Sequence, residues 1–157
     1  MTEMHQRWIG VLLVTGVAAL LDWRSGHIPN WLVGLGLAFG VAAPAVVLAS
    51  AHPLQALTRV GGAVAGFVAC GAVPLLLFRL KALGGGDVKL LATLGALLGP
   101  TLGLELSFGA FVVAALYWPA RFVLARIERH AELRLAVAFA PCSFVAAIAL
   151  TASHWRT

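Results

Sequence analysis

Only two aspartates occur in this 157-residue chain, Asp22 and Asp87, and both stand against apolar runs. Asp22 closes the run from Val11 to Leu21, and Asp87 follows Gly84-Gly85-Gly86 and opens another. A carboxylate at membrane depth is costly and marks a functional site by default. Two carboxylates that meet in a poorly solvated place cannot both ionise easily, so one pKa rises and the pair titrates as a unit. The ionised member can then take a proton from a water attacking a carbonyl, while the protonated member hydrogen-bonds to the carbonyl oxygen. That is aspartic-protease chemistry, and it needs no metal and no other cofactor. Residue type alone does not say which aspartate takes which part.

The neighbours of the two acids are the next candidates. Gly84, Gly85 and Gly86 admit positive φ and close backbone approach, so the segment is expected to carry Asp87 toward Asp22 or to pair with an extended substrate strand; the plain alternative is a tight turn. Lys89 either tunes the acid pair, attracts a carboxylate on the substrate, or anchors the chain at the membrane surface, and Arg24 has the same ambiguity. Asn30, after Pro29, is expected to cap a helix and to have a secondary substrate role. His27 reads as an interfacial residue rather than a base.

Composition says what must position these groups. The chain is 61% hydrophobic and 11% charged, with a mean hydropathy of +0.96. Soluble domains hold about 45–50% apolar and about 25% charged residues, so this is expected to be a single all-α integral membrane domain over residues 1–157. Its net charge of +5 would suggest nucleic acid in a soluble protein. Here the basic residues lie between apolar runs, which points to lipid contact and orientation and not to nucleic acid. Cys70 and Cys142 form no CxxC and no Cys/His ligand spacing, so neither a metal site nor a disulfide framework is indicated. Of the five tryptophans, Trp8, Trp31, Trp118 and Trp155 lie near apparent segment ends, where indoles favour the interface.

A bundle of about six membrane helices is expected, over Arg7–Trp23, Trp31–Ser50, Val60–Arg79, Val88–Gly103, Glu105–Arg121 and Leu135–Ala152. Gly99-Pro100 ends the fourth span, with a tight turn to the fifth near Gly103, and Pro74 and Pro141 fall inside spans. Gly61-Gly62 and Gly66 are expected at close helix crossings. A basic, helical connector runs from Arg121 to Arg134. Placing the N-terminus outside puts eight of the eleven Lys and Arg on the cytoplasmic side, as the positive-inside rule favours. Two spans separate Asp22 from Asp87, so both acids share one membrane face in either orientation.

Two stretches, Asp22-Trp23-Arg24 through Ile28-Pro29-Asn30 and Gly84-Gly85-Gly86-Asp87-Val88-Lys89, together resemble the type IV prepilin peptidases and archaeal preflagellin peptidases. These are intramembrane aspartic proteases with a G-x-G-D motif, and the second stretch fits their G-x-G-D-x-K pattern. Ala140-Pro141 is a weaker third likeness, so the resemblance runs from about residue 8 to 152. It implies catalytic Asp22 and Asp87, a prepilin or pseudopilin helix as substrate, and a multi-pass place in the bacterial inner membrane with the site facing the cytoplasm. The full-length bacterial enzymes carry a cytoplasmic insert with paired cysteines, which this chain lacks. It is similar to the short, peptidase-only form of Tad/Flp-type pili, so N-methylation is not implied. Two other classes stay open: a small ion- or proton-coupled transporter using the acids, and a non-catalytic pilus or secretion assembly subunit.

Overall fold

The computed structural model describes residues 3–25, 28–42, 46, 53–127 and 139–154. Every regular element among them is helical. The chain runs through α1 (Glu3–Ser25), α2 (Asn30–Leu37) continued by a π-helical stretch (Ala38–Ala42), α3 (Pro53–Arg79), α4 (Gly85–Leu98), α5 (Pro100–Ile127) and α6 (Phe139–His154). By length and composition, Leu54–Arg79 and Pro100–Tyr117 are apolar enough to cross a membrane, and Asn30–Ala42 and Phe139–Ser153 are shorter apolar helices.

A helix of 14 residues, α4, organises the rest. Every residue from Leu90 to Leu98 of α4 is buried, and α4 touches α1, α2, the π-helical stretch, α3, α5 and α6. A helix apolar on all sides belongs at the centre of its bundle. At about 1.5 Å per residue α4 is roughly 21 Å long, which places its two ends near opposite rims of the bundle. Asp87 lies in its first turn, just ahead of the apolar run that begins at Val88.

Small residues let α4 sit this deep. A Cβ on Gly66 of α3 would strike the carbonyl oxygen of Gly95, and one on Gly95 would strike that of Gly66. Gly103 of α5 meets the same spot, where a Cβ would come within 2.8 Å of both the Gly95 Cα and the Cys70 sulfur. Backbone thus packs on backbone across α3, α4 and α5, as small residues allow in apolar surroundings.

Several sequence expectations shift. Gly61 and Gly62 are not at a crossing, because a Cβ on either meets nothing within 4 Å. The break between the fourth and fifth helices falls at Gly99, whose φ of 85° only glycine adopts readily. Gly103 is inside α5 and is required by packing rather than by a turn. α3 begins at Pro53, ahead of the expected Val60, and α5 runs on to Ile127, beyond the expected Arg121. Pro74 does lie within α3, and Pro141 is the third described residue of α6. Trp8, expected at the interface, is 1% exposed and belongs to the core with Val11, Leu91 and Leu106. Trp31 is exposed, as an interfacial residue should be. Trp155 and the part of the basic connector from residue 128 to 134 lie outside the described residues, as does His27.

Candidate active site

Asp22 sits in the penultimate turn of α1, half-buried, and Asp87 sits half-buried at the start of α4. The approach to Asp87 is built by the end of α3. There the Ala82 amide donates to the Leu77 carbonyl at 2.9 Å and the Lys81 amide to the Phe78 carbonyl at 2.9 Å. This is a Schellman closure, and its left-handed residue is Lys81, with φ of 59°. The turn that redirects the chain is therefore made by Lys81, and none of the three glycines has positive φ.

The glycine run instead starts a helix. Gly84 is the extended N-cap, with φ −73° and ψ 146° and no side chain to cap with. Asp87, three residues on, accepts a hydrogen bond from the Gly84 backbone amide, the return half of a capping box. Each glycine then makes room for something specific. A Cβ on Gly84 would lie 3.0 Å from Asp87 Oδ2, one on Gly85 would lie 3.3 Å from the Phe78 ring, and one on Gly86 would lie 3.3 Å from Ile28 Cβ. The last contact brings the Ile-Pro-Asn segment directly onto the G-x-G-D turn. Ile28 is buried, and its spacing in the motif carried no sign of this contact until the fold supplied Gly86 as its partner.

A hydrogen bond ties the same two segments together. Lys89 Nζ donates to Asn30 Oδ1 at 2.8 Å, across 59 residues of sequence. Asn30 is not a cap: Pro29 holds the N-cap position of α2 without a side-chain bond, and Asn30 is the first helical residue, its side-chain oxygen turned to Lys89. Arg24, in the last turn of α1, is exposed, a favourable place for a cation on a helix dipole.

Electrostatics connects the acids. Burial pushes the Asp87 carboxyl up from 3.8, the nearby Asp22 charge pushes it further, and the Gly84 amide pulls it back, leaving it at about 7. Asp22 is thus close enough to act on Asp87. The field of Asp87 also reaches Cys142 in α6, so the Ala140-Pro141-Cys142 stretch packs at the same end of the bundle. No spacing rule would have singled out this cysteine. Among the described residues no group of three or more His, Cys, Asp or Glu could hold a metal ion. A large apolar groove that reaches Trp31 and Leu32, next to Asn30, has neither aspartate in its walls.

A family model described as the type IV leader peptidase family matches residues 9–119, more than half of the chain. The match takes in Asp22, Arg24, Asn30, Gly84, Gly85, Gly86, Asp87 and Lys89; α6 lies beyond it. No curated protein and no solved structure matches the chain.

Proposed function

The chain belongs to the type IV leader peptidase family, and from that premise we propose that it is an aspartic endopeptidase of the membrane that removes the basic leader of prepilin-like proteins, with Asp22 and Asp87 as its catalytic pair. The observation that carries the reading is the coupling of the two lone aspartates: the charge on Asp22 helps to raise the Asp87 carboxyl to about 7. One proton is then shared near neutral pH, the state that the hydrolysis of a peptide bond requires.

In this reading Asp87 holds the proton and Asp22 is ionised. Asp22 takes a proton from water as the water oxygen bonds to the scissile carbonyl carbon. Asp87 donates its hydrogen bond to the carbonyl oxygen as negative charge builds there. Proton return to the amide nitrogen lets the carbon–nitrogen bond break, giving a new carboxyl end and a free amine, and the pair is restored. Gly84 holds the Asp87 carboxyl through its amide, and the Lys89–Asn30 bond with the Ile28–Gly86 contact holds the start of α2 against the first turn of α4.

The finer parts of the proposal rest on sequence. They are six crossings, an N-terminus outside, a site facing the cytoplasm of the bacterial inner membrane, a pilin or pseudopilin helix as substrate, and no methyltransferase activity. The two long apolar helices support a membrane setting. The test is cleavage of a prepilin substrate by the detergent-solubilised protein. Asp22→Asn and Asp87→Asn should each lower the rate by roughly 10²–10⁴-fold, the usual share of general acid–base catalysis. If either variant cleaves at the unmodified rate, the acid pair is not the catalyst.

A further inference from the structure

We propose that the apolar groove that runs from Arg7 and Arg59 along the bundle to Trp31 is a site for one anionic phospholipid, its phosphate between Arg7 and Arg59 and its acyl chains along α1, α2 and α3. The proposal rests on the membrane setting of the reading above and not on its peptidase chemistry.

The groove encloses about 870 Å³ between α1, α2, α3 and the junction of α4 with α5, in the upper part of the range of ligand sites. Its walls are apolar and open to the outside: Leu13 is 64% exposed and Phe39 66%. Contiguous exposed apolar surface of this kind asks for an apolar occupant. Among its lining residues only Arg7 and Arg59 are charged, one on α1 and one on α3, and the hydroxyl-bearing Thr58 and Thr101 line the groove with them. Arg7 precedes Asp22 by fifteen positions on one helix, about 22 Å at 1.5 Å per residue. Guanidinium groups suit phosphate oxygens in particular. Two guanidinium groups and two hydroxyls thus stand on the walls of a long apolar channel, the pattern of a headgroup with its chains. A substrate helix would fill the channel but brings no obligatory anion to the arginines.

Two glycines make the channel wide. Gly10 on α1 and Gly62 on α3 both line it, and a Cβ on either meets nothing within 4 Å. Filling these positions narrows the groove without forcing the helices apart.

The test is native mass spectrometry of the full chain, delipidated in detergent and supplied with dioleoylphosphatidylglycerol or dioleoylphosphatidylcholine. One phosphatidylglycerol per chain should be retained in preference to phosphatidylcholine. Arg7→Gln with Arg59→Gln should lower that preference by roughly thirtyfold, taking each basic residue at its usual worth near an anionic headgroup. Gly10→Leu with Gly62→Leu should lower retention of both lipids, with helical content unchanged by circular dichroism. Equal retention of the two lipids by the unmodified chain overturns the proposal. So does undiminished phosphatidylglycerol retention in the filled-groove variant, or displacement of the lipid by millimolar inorganic phosphate, which would mark a bare anion site. Loss of prepilin cleavage in the filled-groove variant with phosphatidylglycerol retained as before would assign the groove to substrate and overturn it as well. Loss of lipid preference needs no peptidase readout, so a failed cleavage assay and a failed lipid assay are separable.

Discussion

Among the described residues, the carboxyl whose titration folding moves into the range from pH 5 to pH 9 is that of Asp87, which burial and the Asp22 charge hold at about 7 against an ordinary 3.8. Unfolded, this carboxyl loses its proton near 4; folded, it keeps it to about 7. Between those values the folded state binds more protons, so stability should fall as pH rises and level off above about 7. A gap of roughly three units corresponds to about 4 kcal/mol at most, and water reaching the half-buried side chain reduces it. Asp87→Asn has no proton to lose there, so its melting temperature in detergent should lack that decline between pH 5 and pH 8. Cleavage follows the same titration. Near pH 7 half of the molecules retain the proton, and each further unit leaves about a tenth as many, so kcat/KM should drop roughly tenfold per unit above neutrality. A rate that stays flat to pH 9, or a wild-type melting profile that parallels that of Asp87→Asn, would refute the placement of the shared proton on Asp87.

Three further outcomes follow from the packing. Lys89→Met and Asn30→Ala each remove the 2.8 Å bond between the start of α2 and the first turn of α4; each should lower kcat more than it raises KM and shift the alkaline limb of the pH profile, and Lys89→Arg should recover part of the loss. Gly66→Ala drives a methyl into the Gly95 carbonyl and should destabilise by about 1–3 kcal/mol or more in thermal unfolding, whereas Gly62→Ala, which meets open space, should be neutral or stabilising by up to about 1 kcal/mol. Lys81→Gly relieves the left-handed strain at φ 59° and should raise stability by about 1 kcal/mol without changing cleavage.

How far the chain could be read ahead of its fold depends on the range of the interaction. The helices announced themselves through apolar runs and glycine–proline breaks, since both are local. Their ends moved where packing outweighed local signals. Gly103 reads as a turn residue but serves a three-helix contact, and Trp8 reads as interfacial but is walled in by neighbouring helices. Asp22 and Asp87 stood out because no other aspartate competes with them. The purposes of the three glycines did not, because a missing Cβ has meaning only against the atom that would strike it: Asp87 itself, Phe78 and Ile28. Lys89 and Asn30 were visible one at a time, while their bond spans 59 residues and had no local trace. Cys142 is the extreme case, a thiol brought near Asp87 by the placement of α6 alone.

The glycine seam between α3, α4 and α5 has a mechanical consequence for the acid pair. Helices in backbone contact at Gly66, Gly95 and Gly103 have no side chains between them to slide or repack, so they behave as one rigid block. Asp87 is mounted on that block by the first turn of α4. The stretch after α2 joins this seam, since a Cβ on Gly40 would lie 3.3 Å from the Ala96 carbonyl carbon and the Leu97 Cα, whereas neither Gly10 nor Gly16 of α1 meets α4. In the proposed peptidase, opening for a substrate then falls to α1: Asp87 is the stationary jaw, and Asp22 the one that travels.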